Sequence, residues 1–224
     1  MYNSKRRDFI KSTLSLGVLA LLPKSNLKAF SKELPNVLII GDSISMGYTP
    51  FVKQFLEGKA NVSHPDENCG PTERGITNMD KWLDDTKYKV IHFNFGLHDL
   101  KHVDAVTKKA STKPSDPLMT DLKTYGENLQ TIIDKLKTTG AKLIFATTTP
   151  VPLHSSPLRD PQLPAEYNAV AEKVMKKNNI VIDDLYSFVL PQADKIRKPN
   201  NVHYTEEGYR LLGKKVADAI AKYI

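Results

Sequence analysis

Cysteine is almost missing from this chain. Cys69 stands alone among 224 residues, which excludes an intramolecular disulfide and a cysteine-rich zinc module. Long apolar runs are missing too: the stretch from Leu14 to Leu22 is too short to span a bilayer comfortably. There is no internal repeat and no glycine-rich phosphate loop. A strong charge of one sign is also lacking once position is considered. The formal +7 includes Lys5, Arg6, Arg7, Lys11, Lys24 and Lys28 against Asp8, and the chain after position 31 carries 26 basic against 24 acidic residues. A body so nearly neutral gives no electrostatic footprint for a nucleic-acid partner. With 40% hydrophobic and 25% charged residues, the composition is that of one globular domain.

What is present begins with an address. Ser4 to Lys11 places Arg6-Arg7-Asp8-Phe9-Ile10-Lys11 directly before the apolar stretch, the order of a signal peptide's charged and hydrophobic regions. The string resembles the twin-arginine signal of bacteria, which implies export of a folded protein to the periplasm or beyond. Residues 1–31 are read as this leader, with Ala29-Phe30-Ser31 as its best cleavage site, and 32–224 as a single domain that keeps no membrane insertion once the leader is gone.

Within that domain, apolar runs alternate with amphipathic stretches. Asn36 to Ile40, Val90 to Phe95 and Ala141 to Ala146 read as buried strands, with Ile180 to Ile182 as a shorter fourth. Leu122, Tyr125, Leu129, Ile132, Ile133 and Leu136 recur at helical spacing, and Gly140 follows as a stop. Pro164 opens a second helix, and Thr205 can cap a last one with Tyr209, Leu212, Val216 and Ile220 on its apolar face. Strands apolar throughout, separated by such helices, predict an α/β fold: a three-layer α/β/α arrangement around a parallel sheet. Ligands bind beyond the C-terminal strand ends of such sheets. Gly41-Asp42-Ser43, Gly96-Leu97-His98-Asp99 and Thr147 to Pro150 therefore share one rim, with the polar segment Val103 to Pro117 as a loop above it.

A serine becomes a nucleophile when a base takes its proton and donors hold the developing oxyanion. Ser43, just past the first strand, is so placed. His203 stands in a loop before the last helix, where its ring can face a strand end. The order Gly41-Asp42-Ser43, Asn68-Cys69-Gly70, Gly96-x-His98-Asp99 and His203 resembles the SGNH, or GDSL-type, hydrolases over residues 36–224. The resemblance implies a flavodoxin-like domain that hydrolyses esters without a cofactor. It puts the nucleophile on Ser43, the base on His203, and the oxyanion donors on the N–H groups of Ser43 and Gly70, with Gly75 as the nearby alternative to Gly70.

Two positions depart from the family pattern. His98 stands where the family has an asparagine donor, and a neutral imidazole still has one N–H to give. Asn200 stands where the family has the aspartate that orients the histidine. It is read as a neutral acceptor for the His203 ring, with Asp183 or Asp184 as replacements. A metal site at His98 and His102 has only Asp99 as a third ligand, so none is expected. Cys69 reads as a small buried hydrophobe, and Trp82 and Tyr88 as core or rim. The reading is an exported serine esterase acting on a small-molecule or polysaccharide ester, by family analogy an O-acetylated carbohydrate. A non-catalytic carbohydrate-binding protein on the same fold, or a lipid or short-chain ester hydrolase, is the alternative. Nothing in the sequence marks the oligomeric state.

Overall fold

The computed structural model describes residues 33–224, so the leader read at 1–31 lies outside the described residues. Five parallel strands form one sheet in the order β2-β1-β3-β4-β5. They are β1 (Asn36–Ile40), β2 (Asn61–Ser63), β3 (Tyr88–Phe93), β4 (Lys142–Ala146) and β5 (Val181–Asp183). The register aligns Ile40 with Phe93, Phe93 with Phe145 and Ala146 with Asp183, so the strands end together on one rim.

Side chains alternate across the sheet with the two-residue period of a strand. Leu38, Ile40, Ile91, Phe93, Leu143 and Phe145 enter one core with helices α2 (Thr72–Leu83), α3 (Leu122–Lys137) and α4 (Leu163–Lys177). Val37, Ile39, Val90, Ile144 and Ala146 enter the other, with α1 (Ser43–Phe55), the short α5 (Leu185–Val189) and α6 (Ala193–Ile196), and α7 (Glu206–Ala221). The three-layer α/β/α reading therefore stands, and Trp82 and Tyr88 belong to the core, at 4% and 7% exposure.

Several boundaries differ from the apolar runs. β3 starts two residues earlier than Val90 and ends at Phe93, because the chain must turn after Asn94 to reach Gly96. At Gly96 the backbone has φ +141°, and a Cβ would lie 2.2 Å from the Thr148 hydroxyl. Only glycine fits both demands. Strand β2 and helices α1 and α2 carry no matching signal in the sequence reading. β2 is a three-residue edge strand with an exposed first residue, and α1 contains Gly47 and Pro50, both poor helix formers.

Pro50 is exposed, whereas Gly47 sits where α1 meets α7. A Cβ on Gly47 would lie 2.2 Å from Tyr209 Cε1, and one on Gly213 would lie 2.6 Å from Phe51 Cβ and 3.1 Å from the Tyr48 carbonyl. The first contact lies near both helix starts and the second about one turn further along each. The helices thus run side by side in the same direction, with backbones close. Each starts at the strand-end rim.

The Val103–Pro117 segment folds back on itself through bridges between His102 and Leu118 and between Val103 and Ala110. It is tied to the 158–160 segment by His102 N–H to Leu158 O (3.0 Å) and Leu158 N–H to Ser111 O (3.1 Å). Among the described residues, no helix is long and apolar enough to cross a membrane.

Candidate active site

Strand order reverses between β1 and β3, and the crevice at such a switch point is where ligands bind in open α/β sheets. The turn after β1 is rigidly built. Asp42 is buried and caps α1, its carboxylate accepting from Ile44 N–H at 2.9 Å. The Ser45 hydroxyl lies 2.7 Å from both the Asp42 carbonyl and His64 Nε2, and His64 Nδ1 donates to Pro65 O at 2.6 Å. No motif or spacing in the sequence marks His64, which follows the edge strand directly. Ser43 occupies the first position of α1, so its N–H has no carbonyl partner within the helix.

Ser43 Oγ lies 2.8 Å from His203 Nε2. On the other side of the ring, Nδ1 lies 2.7 Å from Asn201 Oδ1, which also accepts from the His203 N–H at 3.0 Å. Because a backbone N–H can only donate, the atom facing it is the amide oxygen, and Nδ1 must donate to that same oxygen. The tautomer follows: Nε2 carries the lone pair that faces the serine hydroxyl. Burial, and then the charges of Lys198 and Arg159, hold the His203 pKa below the usual histidine value, so the ring is neutral and able to accept a proton at neutral pH.

The partner on the ring is Asn201 rather than Asn200, which corrects the sequence reading. Asn201 N–H bonds Lys198 O at 3.2 Å, closing a turn with Pro199 in its second place and Asn200 in its third. Asn200 has φ +50°, the left-handed value such a turn requires there and asparagine tolerates. Its side chain is exposed and lines a surface cavity of about 330 Å³ with Pro152, Leu153, Asp194 and Arg197. Asp183 and Asp184 are also committed elsewhere. Asp183 is buried against His92 Nε2 (3.2 Å) and Lys215 Nζ (3.2 Å), while Asp184 caps α5 through Ser187 N–H (3.0 Å).

Gly70 sits beside this pair in the chain's path: the Cys69 N–H donates to Gly41 O at 3.1 Å, joining the 68–70 loop to the Ser43 turn. The Gly70 N–H donates to Asn68 Oδ1 at 2.9 Å. Gly75 is packed inside α2, where a Cβ would lie 2.7 Å from Phe95, and its N–H donates to Pro71 O. Of the two glycines, Gly70 is the one at the rim. Cys69 is fully buried, and burial pushes its thiol up to about 12, which leaves it inert as a nucleophile.

His98 is half-buried and makes no ring hydrogen bond to the described residues. Burial, with the charges of Lys101, Arg159 and His203, depresses its pKa to about 3, so it presents a neutral ring with one unclaimed N–H. Asp99 beside it is fully buried and accepts from the Thr72 hydroxyl (2.6 Å) and the Thr72 N–H (3.0 Å). Burial raises its pKa to about 6 against those hydrogen bonds. Asp99 thereby caps α2 across space and ties the His98 turn to the Gly70 loop. His102 spends its two ring nitrogens on Asp116 O (2.6 Å) and Asp160 Oδ2 (3.1 Å).

A family described as GDSL-like lipase/acylhydrolase matches residues 39–211. The chain belongs to this family. It is accordingly an ester hydrolase of the GDSL type. Solved structures share the family fold at low identity. A lipase/acylhydrolase from Enterococcus faecalis is 22% identical with a TM-score of 0.70, over 84% of this chain and 96% of that one. An acetyl xylan esterase is 16% identical with a TM-score of 0.65, over 83% and 99%. A GDSL-like lipase from Bacteroides thetaiotaomicron is 15% identical with a TM-score of 0.63, over 84% and 89%. Among curated protein sequences there is no match.

Proposed function

We propose that this GDSL-type hydrolase is an exported serine esterase that removes O-acetyl groups from carbohydrates. The observation that carries the mechanism is the 2.8 Å contact between Ser43 Oγ and His203 Nε2, with the opposite ring nitrogen held by Asn201. Ser43 attacks the ester carbonyl while His203 takes its proton, and the imidazolium then returns that proton to the leaving alcohol. Asn201 orients the ring but adds no charge. The oxyanion is received by the N–H groups of Ser43 and Gly70 and by His98, once Asn68 Oδ1 releases the Gly70 N–H. Water repeats the sequence on the acyl-enzyme.

Two considerations support the carbohydrate reading. An acetyl xylan esterase shares the fold, and both Ser43 and His203 are partly exposed at the rim, where an ester on a bulky polymer can reach them. The twin-arginine string supports export. The deciding experiment compares acetate release from acetylated xylan by the purified domain and by Ser43→Ala, with circular dichroism as the check on folding. The wild type is expected to release acetate and the variant to lose at least about 10³ in turnover. A folded variant keeping more than about a hundredth of the rate would remove Ser43 from the role, and a wild type that hydrolyses only long-chain acyl esters would replace the carbohydrate reading with a lipid one.

A further inference from the structure

Arg159 is a cation buried without a counter-ion. It is 4% exposed, and its Nε donates to Leu97 O at 2.9 Å and its Nη1 to Pro157 O at 3.2 Å. Neither acceptor is charged. Among the described residues no carboxylate lies within ion-pair distance of it. The acidic group whose charge it feels is Asp42, which is already spent on capping α1. The remaining nitrogen, Nη2, has no protein partner among the described residues and is not sealed from solvent.

Two neutral carbonyls call only for a donor. A glutamine would supply one without the cost of withdrawing a guanidinium from water. The position of the charge gives it a use. Leu97, which Arg159 holds, immediately precedes His98, and the Arg159 charge reaches both His98 and His203. Lys101 and Lys198 add positive charge to the same two rings, and His203 is backed by an amide where a carboxylate would have offset them. The segment carrying Arg159 is pinned by Leu158 N–H to Ser111 O and by Asp160 to His102, so the guanidinium is held in place rather than swinging on a free loop. A fixed guanidinium with an open donor edge is the chemistry that recognises oxyanions.

We propose that Arg159 is a specificity determinant that binds a carboxylate or phosphate group carried by the substrate close to its scissile ester. The proposal rests on the reading of Ser43 and His203 as the ester-cleaving pair and adds the charge class of what they cleave. Arg159 touches the substrate beside the reacting carbonyl and takes no part in bond making.

The test uses phenyl acetates matched except for one meta substituent: none, a carboxylate, a phosphate, or a trimethylammonium group. Each kcat/KM is corrected for the ester's own alkaline hydrolysis rate. The wild-type domain is expected to prefer one or both anionic esters over the neutral one by about tenfold, the worth of one charge-assisted hydrogen bond, with the cationic ester slowest. A lead for carboxylate over phosphate names an acidic ester as the source, and the reverse names a phosphorylated one. In Arg159→Gln, which can still donate to a carbonyl, the preference is expected to collapse to within about threefold, and Arg159→Lys to restore part of it.

A wild type that cleaves the neutral ester as fast as both anionic ones overturns this inference and leaves the esterase reading standing. So does a folded Arg159→Gln that keeps the anionic preference. Cleavage of none of the four esters overturns both readings. Should Arg159→Gln not fold, Lys101→Gln and Lys198→Gln decide: an anionic preference that survives in both assigns it to Arg159, and its loss in either overturns the inference.

Discussion

Asn201 gives His203 a direction without giving it a charge, and that difference can be measured. Asn201→Asp places a carboxylate on the Nδ1 hydrogen, which favours the imidazolium and raises the His203 pKa from its present depressed position. Since His203 must be deprotonated to act, the acid limb of kcat/KM should move to higher pH, while turnover on the plateau should rise by about tenfold or more because the imidazolium formed during attack is now paired. Asn200→Asp should do neither, because Asn200 faces solvent from the third place of its turn. Its effect should be a modest loss of stability from putting a less suited residue at φ +50°. A pH–rate profile of the two variants separates them. If the limb moves in Asn200→Asp and stays put in Asn201→Asp, the assignment of the ring partner is wrong. His98 does not blur this reading. With its pKa depressed to about 3, it stays neutral throughout the window in which His203 titrates.

The same pair of asparagines shows how far the site is legible in sequence. Ser43, Gly70, His98 and His203 can be found because each lies in a short motif at the end of a strand or the start of a helix. Which of two adjacent asparagines meets the imidazole depends on one backbone turn: Pro199 sets the second position, Asn200 takes the left-handed third, and Asn201 is carried round to the ring. Arg159 and His64 lie outside any motif. Arg159 is defined by what it lacks, a carboxylate partner, and that can be seen only once the fold has placed its neighbours.

At the scale of elements, the apolar runs disclosed β1, β3, β4 and β5 because buried parallel strands need no alternation. Helix α1 stayed hidden for a physical reason. Its helix-poor Gly47 is there for contact, letting α7 approach until Tyr209 fills the space a Cβ would occupy. Since Ser43 opens α1 and His203 precedes α7, this packing sets the distance between them. Gly47→Ala must push Tyr209 or the whole of α7 outward, at about 1–3 kcal/mol. We expect a lower Tm together with a fall in kcat of about tenfold or more, because a misplacement of about 1 Å is costly in a proton-transfer pair. Thermal melts and ester kinetics on one preparation check this. A destabilised variant with wild-type kcat would show that the pair is positioned by the turns alone.

For the whole molecule, the uneven distribution of charge yields the remaining prediction. The basic excess gathers in the first 31 residues, before a body close to neutrality, and under the proposed export reading that segment is an address for a receptor. Replacing Arg6 and Arg7 by Lys keeps the charge but not the pair. The variant should accumulate in the cytoplasm of the native host, whereas an ordinary secretory leader would tolerate it. Fractionation with an ester assay on each compartment tells the two apart.

The contact between Ser43 and His203 joins residues 160 positions apart, one from the first helix after the first strand and the other from the threshold of the last helix. No half of the domain holds both. Catalysis is therefore a property of the closed circuit rather than of any region, and an intermediate with its sheet formed but α7 undocked would look largely native to spectroscopy while hydrolysing nothing. Joining such distant partners is the slow part of folding a chain of this topology. During refolding, ester cleavage is expected to return no earlier than helix content, and a lag between the two would time the docking of α7.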